Sequence, residues 1–191
     1  MKADFFYGRL YFILIITLGL GACNNGNKEP DKVAEEKNDA KFNGPDEKDA
    51  NALTNAYGGS VFEKALSDSV KIWSTDKEIR ALADSMQMAH SSINNQIKDL
   101  AAKKTISLPV MLTSAQEEKI AKLKEKKQGD LSKDYVSGLI ADHKEAINMY
   151  EKEASEAKDS DIKIWFQNLL PVLRRHLDMA TMCKEKLEKK K

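Results

Sequence analysis

Apolar residues along this chain recur in steps of three and four, and no stretch alternates with period two. That rhythm marks amphipathic helices, whose buried faces repeat every 3.6 residues. The first helical stretch begins at Asp46 and carries Leu53, Phe62, Leu66, Val70 and Trp73, weakened at Gly58-Gly59. The second follows Thr75, with Ile79, Ala83, Met86, Ile93, Ile97 and Leu100 on one stripe, and ends at Leu108-Pro109. A third runs from about Asp130 to Ala157 through Val136, Leu139, Ile140, Ala146, Ile147 and Tyr150. The fourth, capped at Asp159-Ser160-Asp161, carries Ile162, Phe166, Leu169, Leu173, Ala180, Cys183 and Leu187. Pro171 removes one backbone donor inside it and is expected to kink it.

Between the second and third stretches, Thr113-Ser114 followed by Glu117 predicts an N-terminal cap for a short connector helix, stopped by Gly129. Four apolar stripes bury one another most economically in a four-helix bundle, so the fold class is all-α.

Ahead of the bundle the pattern changes twice. Lys2 and Arg9 flank an apolar run from Leu10 to Ala22. Thirteen helical residues cover only about 20 Å, short of a hydrocarbon core of roughly 30 Å. The run therefore reads as a signal-peptide core over residues 1–22. It ends in Leu20-Gly21-Ala22-Cys23, which resembles the bacterial lipobox, where the cysteine is lipidated and becomes the mature N-terminus. An ordinary secretory signal with an incidental cysteine is the alternative. Residues 24–50 carry 13 charges of mixed sign, interrupted by Pro30, Gly44 and Pro45. Residues 23–45 are accordingly expected to be a lipidated and disordered tether, with the bundle occupying 46–191.

Composition narrows the function classes. Lys and Arg total 31 against 30 Asp and Glu, which argues against a nucleic-acid binder held by a basic surface. With Cys23 lipidated, Cys183 has no partner for an internal disulfide.

Only three histidines occur, His90, His143 and His176, one in each of three core helices, and each falls on the apolar stripe. The first helix offers a matching polar residue, Glu63, three before Leu66. In helices of about 43 Å, all four groups fall near mid-height. Neutral imidazoles need partners and charged ones repel, so three at one level suggest either a metal site or a buried hydrogen-bond network. Three imidazoles and a carboxylate suit zinc or another divalent first-row ion, iron and manganese among them. Met86, Met179 and Cys183 lie near enough in sequence to make copper a further candidate, although methionine at helical spacing is ordinarily core filling. A di-iron centre needs a Glu-x-x-His repeat, and the residues three before the histidines are Gln87, Ile140 and Leu173.

Several segments carry a resemblance in order and spacing. They are Val61-Phe62-Glu63, Ala101-Ala102-Lys103-Lys104 with Leu108-Pro109, Tyr135 leading to Asp142-His143-Lys144-Glu145-Ala146-Ile147, and Leu170-Pro171-Val172-Leu173-Arg174-Arg175-His176-Leu177. From Glu63 to Leu187 the chain resembles the bacterial domain-of-unknown-function family DUF4142, often labelled predicted outer-membrane proteins. The resemblance implies a ferritin-like four-helix bundle and an envelope address, facing the periplasm or the cell surface. It also makes Asp142, beside His143, a candidate to orient a ligand. The family usually carries Asp-His in its second helix, where Ala89 precedes His90 here. It carries a glycine three before the first-helix glutamate, where Ser60 stands here.

Three functional readings follow. One is a lipid-anchored envelope protein binding one divalent metal through Glu63, His90, His143 and His176, for storage, buffering or stress protection. Another is a non-catalytic interaction module whose core histidines hydrogen-bond to one another, with the protein partner and the choice of monomer or dimer left open. Enzyme chemistry has the least support: there is no Ser-His-Asp arrangement and no phosphate-binding glycine loop, and Cys183 sits on a core stripe.

Overall fold

The computed structural model describes residues 28–189. Six helices follow one another: α1 (Pro30–Asp39), α2 (Pro45–Trp73), α3 (Lys77–Lys104), α4 (Ser114–Lys124), α5 (Gln128–Glu156) and α6 (Ser160–Lys189). The signal-peptide segment and Cys23 lie outside the described residues.

Local chemistry accounts for most of the boundaries. Pro45 opens α2 at a position that needs no backbone donor, just after Gly44 turns the chain at φ 57°. Asp76 caps α3, its carboxylate accepting from the backbone N–H of Glu78 at 2.8 Å. Thr105, at φ 58°, ends that helix in the left-handed conformation. A capping box at α4 joins Thr113 and Gln116 reciprocally. Asp159 caps α6 by accepting from Asp161 and Ile162.

Three expectations change. α2 runs unbroken through Gly58-Gly59, because its buried face on either side fixes the helix more strongly than two glycines loosen it. Gly129 lies in the first turn of α5 and does not stop α4, which ends earlier at Lys124. The third correction concerns the expected tether: residues 30–39 form α1, which packs on α2. Asn38 explains the docking. Its side chain donates to Thr54 Oγ1 at 2.9 Å and to the Ser107 carbonyl at 3.1 Å, and accepts from the Ser107 N–H at 2.7 Å. Lys41 adds bonds to the Thr105 carbonyl and Ser107 Oγ, and the Glu29 carboxylate accepts from the Ser114 N–H. Buried hydrogen bonds hold this helix in place of the apolar area its charged composition lacks.

Two helical hairpins, α2–α3 and α5–α6, form the bundle. Their relative direction is set by contacts at the two ends. Gln128, at the start of α5, bonds the Trp73 carbonyl and the Thr75 N–H at the end of α2. At the opposite end Lys104 pairs with Asp159 and Asp161, while Asp49 accepts from the N–H groups of Lys158 and Asp159. Hence α5 runs antiparallel to α2 and parallel to α3, and residues 105–127 carry the chain back along the bundle. One long crossover of this kind characterises ferritin-like bundles. α4 lies on this crossover, against both α2 and α5.

The core is divided in two. One apolar cluster, around Leu53, Ile97, Tyr150 and Phe166, fills the end where α2 begins. A second, around Val70, Ile79, Tyr135 and Leu139, fills the end where α2 finishes. Between them lies a layer of buried polar side chains. Among the described residues no helix is long and apolar enough to cross a membrane.

Candidate metal centre

The polar layer is formed by the three histidines and two residues of α2. His90, His143 and His176 are 4%, 2% and 4% exposed, and Glu63 is 6% exposed. Each histidine occupies a stripe position on its helix, so the packing that buries the stripe also points the imidazole inward. The ring centroids form a triangle of 5.3, 5.5 and 5.8 Å. One ligand nitrogen from each ring lies within 4.8 Å of the other two.

The hydrogen bonds assign a role to each ring. His143 Nδ1 lies 2.9 Å from the Leu139 carbonyl, which can only accept, so this nitrogen carries the proton. His143 Nε2 is then a bare lone pair and accepts from His176 Nδ1 at 3.2 Å. His90 Nδ1 meets Ser60 Oγ at 2.9 Å. Its Nε2 is buried without a hydrogen-bond partner among the described residues. A buried imidazole nitrogen in that state carries a desolvation cost that a ligand would relieve.

Ser60 and Ala89 are the two departures from the resembled family's pattern, and they meet at one place. Ala89 supplies no carboxylate to His90, and the Ser60 hydroxyl, in place of a glycine, holds that ring instead. A hydrogen bond to the outer nitrogen of an imidazole fixes its orientation and the nitrogen it presents.

Glu63 stands apart from the triad. Its Oε1 is 3.6 Å from His143 Nδ1, the nitrogen facing away from His176. The carboxyl therefore sits behind His143, and among the described residues the ligand atoms that come together are those of the three histidines. Its Oε2 is buried without a hydrogen-bond partner among the described residues. Burial pushes the Glu63 carboxyl well above its usual range, and the charge of Asp142 adds to the shift. Asp142 itself is half-buried, and burial raises it too. Met86 and Cys183 are buried in the second apolar cluster, with Met179 packed against it.

Burial also keeps the imidazoles neutral. It holds His90 well below the usual imidazole range, with the other two histidines contributing. It lowers His143 against the opposing pull of the Leu139 carbonyl. His176 is lowered to about 4, by burial first and then by His143 and Arg175. Three neutral imidazoles at neutral pH are in the protonation state that metal ligation requires.

Ligand nitrogens around a tetrahedral zinc at roughly 2.0–2.1 Å stand about 3.4 Å apart. The His143–His176 pair already has that spacing at 3.2 Å, and a His90 nitrogen comes within 4.8 Å of the others' ligand atoms. The donor set fits a divalent first-row ion with one coordination position left over.

A cleft of about 510 Å³ leads from this layer to the surface between α2 and α5. Glu63, His90 and His143 line its inner part, and Lys119, Asp142 and Glu145 its outer part. Sequence reasoning missed Ser60, Lys119 and Glu145. Ser60 falls three residues before Glu63 on the same helical face, which was the available signal. Lys119 belongs to a separate helix, and no local pattern ties it to the site.

No curated protein matches the chain, and no solved structure does. The family described as "Domain of unknown function (DUF4142)" matches residues 33–182, a span that includes most of α1 and carries the crossover and all three histidines. The chain belongs to that family.

Proposed function

We propose that this protein binds one divalent transition-metal ion at mid-height of its bundle, through His90, His143 and His176. The observation that carries the reading is the approach of three buried, neutral imidazoles to within 4.8 Å across three helices. His90 Nε2, orphaned in a buried setting, supports it. Zinc is the first candidate, and copper, iron and manganese are the alternatives. Ser60 and the Leu139 carbonyl orient two of the rings, and Glu63 stands behind His143. The ion would bridge helices that otherwise meet at a polar layer, and would offer its remaining position to water or a small anion.

Taken with the lipobox-like Leu20-Gly21-Ala22-Cys23, the reading is of a protein anchored by lipid in the bacterial envelope. There the bundle would store or buffer the ion, or protect against metal-dependent stress. Thermal unfolding with chelator and with added zinc tests the binding claim. Zinc at a thousandfold excess over its Kd adds about 4 kcal/mol to the folded state. That is roughly 10 °C of melting temperature for a domain of this size.

A second reading is favoured by one observation. The His143 to His176 hydrogen bond pairs the facing nitrogens of the two rings without any ion. In that case the layer is a polar network inside an interaction module, and zinc leaves the melting temperature unchanged.

A further inference from the structure

The three histidines are buried, yet one side of the bundle is built differently from the others. α2 packs along α3 and α5 along α6, while α2 and α5 touch much less and α4 lies against both. The cleft follows that seam. Its inner part holds two buried atoms without hydrogen-bond partners among the described residues, Glu63 Oε2 and His90 Nε2. Its outer part holds two carboxylates, half-buried Asp142 and exposed Glu145, and one cation, exposed Lys119.

Lys119 lines the outer part of the cleft. Its Nζ lies 5.5 Å from the centroid of the Phe62 ring, one residue from Glu63. Its charge favours the ionised forms of both Glu63 and Asp142. It is the cation that lines the cleft beside these carboxylates, set over a ring face and carried on a helix outside the four core helices. Gly59 also lines the cleft, and a Cβ added there would meet nothing within 4 Å. Gly59 is exposed, so a longer side chain placed there would stand in the open space at the mouth of the cleft.

We propose that divalent cations reach the three histidines through the α2–α5 cleft, collected by Asp142 and Glu145, and that Lys119 is the counter-ion they displace on the way in. This rests on the metal-binding reading of the triad. Neutralising the collecting carboxylates lowers the local concentration of a divalent ion and so its association rate. Removing the lysine does the opposite, and narrowing the cleft slows traffic in both directions.

The test is stopped-flow zinc association with the full chain, paired with zinc release to excess chelator. Asp142→Asn/Glu145→Gln is expected to slow association roughly tenfold and flatten its salt dependence, and Lys119→Ala to raise it by a similar factor. Gly59→Leu changes no charge. It is expected to slow association and release by the same factor and leave Kd unchanged, with circular dichroism confirming the helical fold. Association rates equal to the parent's in all three variants, with zinc still bound, would overturn the route while leaving the site intact. A parent protein that takes up no zinc would overturn the site and the route together.

Discussion

His143 Nε2 and His176 Nδ1 face each other at 3.2 Å, and the Leu139 carbonyl on the far side of His143 dictates which of them holds the proton. His143 is fixed with its proton on Nδ1, so His176 must donate from Nδ1. An ion bound between the rings needs both facing nitrogens bare. Zinc binding is therefore expected to move the His176 proton from Nδ1 to Nε2 and to leave the His143 tautomer unchanged. Nitrogen-15 NMR of the imidazoles reads this directly. A His176 tautomer that is the same with and without zinc would place the ion elsewhere.

The metal-free protein should lose stability in mild acid. An unfolded histidine titrates near 6.5, whereas burial lowers all three here, His176 to about 4. As pH falls below 6.5 the unfolded chain takes up protons that the folded chain refuses, so unfolding is favoured progressively until the folded values are passed. Above 6.5 both states are neutral and the effect vanishes. The slope is up to about 1.4 kcal/mol per pH unit for each histidine. Urea unfolding between pH 7.5 and 4 measures it, and the His143→Gln/His176→Gln variant should show a much shallower fall.

Glu63 acts in the opposite sense. Its carboxyl is raised well above 4.5 in the folded state, so the folded chain holds a proton that the unfolded chain releases above that value. The residue therefore costs stability as pH rises. Glu63→Gln is expected to stabilise the metal-free protein by about 1 kcal/mol at pH 8 and to approach the parent below about pH 4, where Glu63 is mostly protonated in both states. Chemical unfolding at the two pH values checks this. A variant less stable than the parent at pH 8 would mean that the ionised carboxylate is satisfied in the fold.

Asn38 ties α1 to the bundle through three hydrogen bonds at a fully buried position. Asn38→Ala strands the Ser107 N–H, while Thr54 Oγ1 and the Ser107 carbonyl keep each other, for a loss of about 2 kcal/mol. Trypsin should then cut after Lys37 and Lys41 much sooner than in the parent. Unchanged cleavage kinetics would show that Lys41 and Glu29 hold the segment by themselves.

The core helices were legible because their signals are local. Stripe residues such as Leu53, Ile97 and Phe166 sit at the spacing that their own helix imposes. Caps such as Thr113 and Asp159 act on N–H groups two or three residues away. The common depth of the histidines followed from counting residues along helices of similar length. What stayed hidden depends on contacts between segments far apart in sequence. α1 reads as a charged tether because its docking rests on Asn38 reaching Thr54 and Ser107. A helical wheel places Glu63 on the inner face but cannot say that it lies behind His143 and outside the triad. The direction of α5 becomes visible only when Gln128 is seen bonding Trp73.

The central claim is that the three histidines hold an ion, and the most direct measurement is the metal content of the purified full chain. Elemental analysis after zinc reconstitution and removal of excess ion would be run beside the His143→Ala/His176→Ala variant, with circular dichroism confirming that both are folded. The account predicts close to one zinc per chain in the parent and none in the variant. A folded parent that retains no zinc, copper, iron or manganese, or a variant that retains as much as the parent, would contradict it.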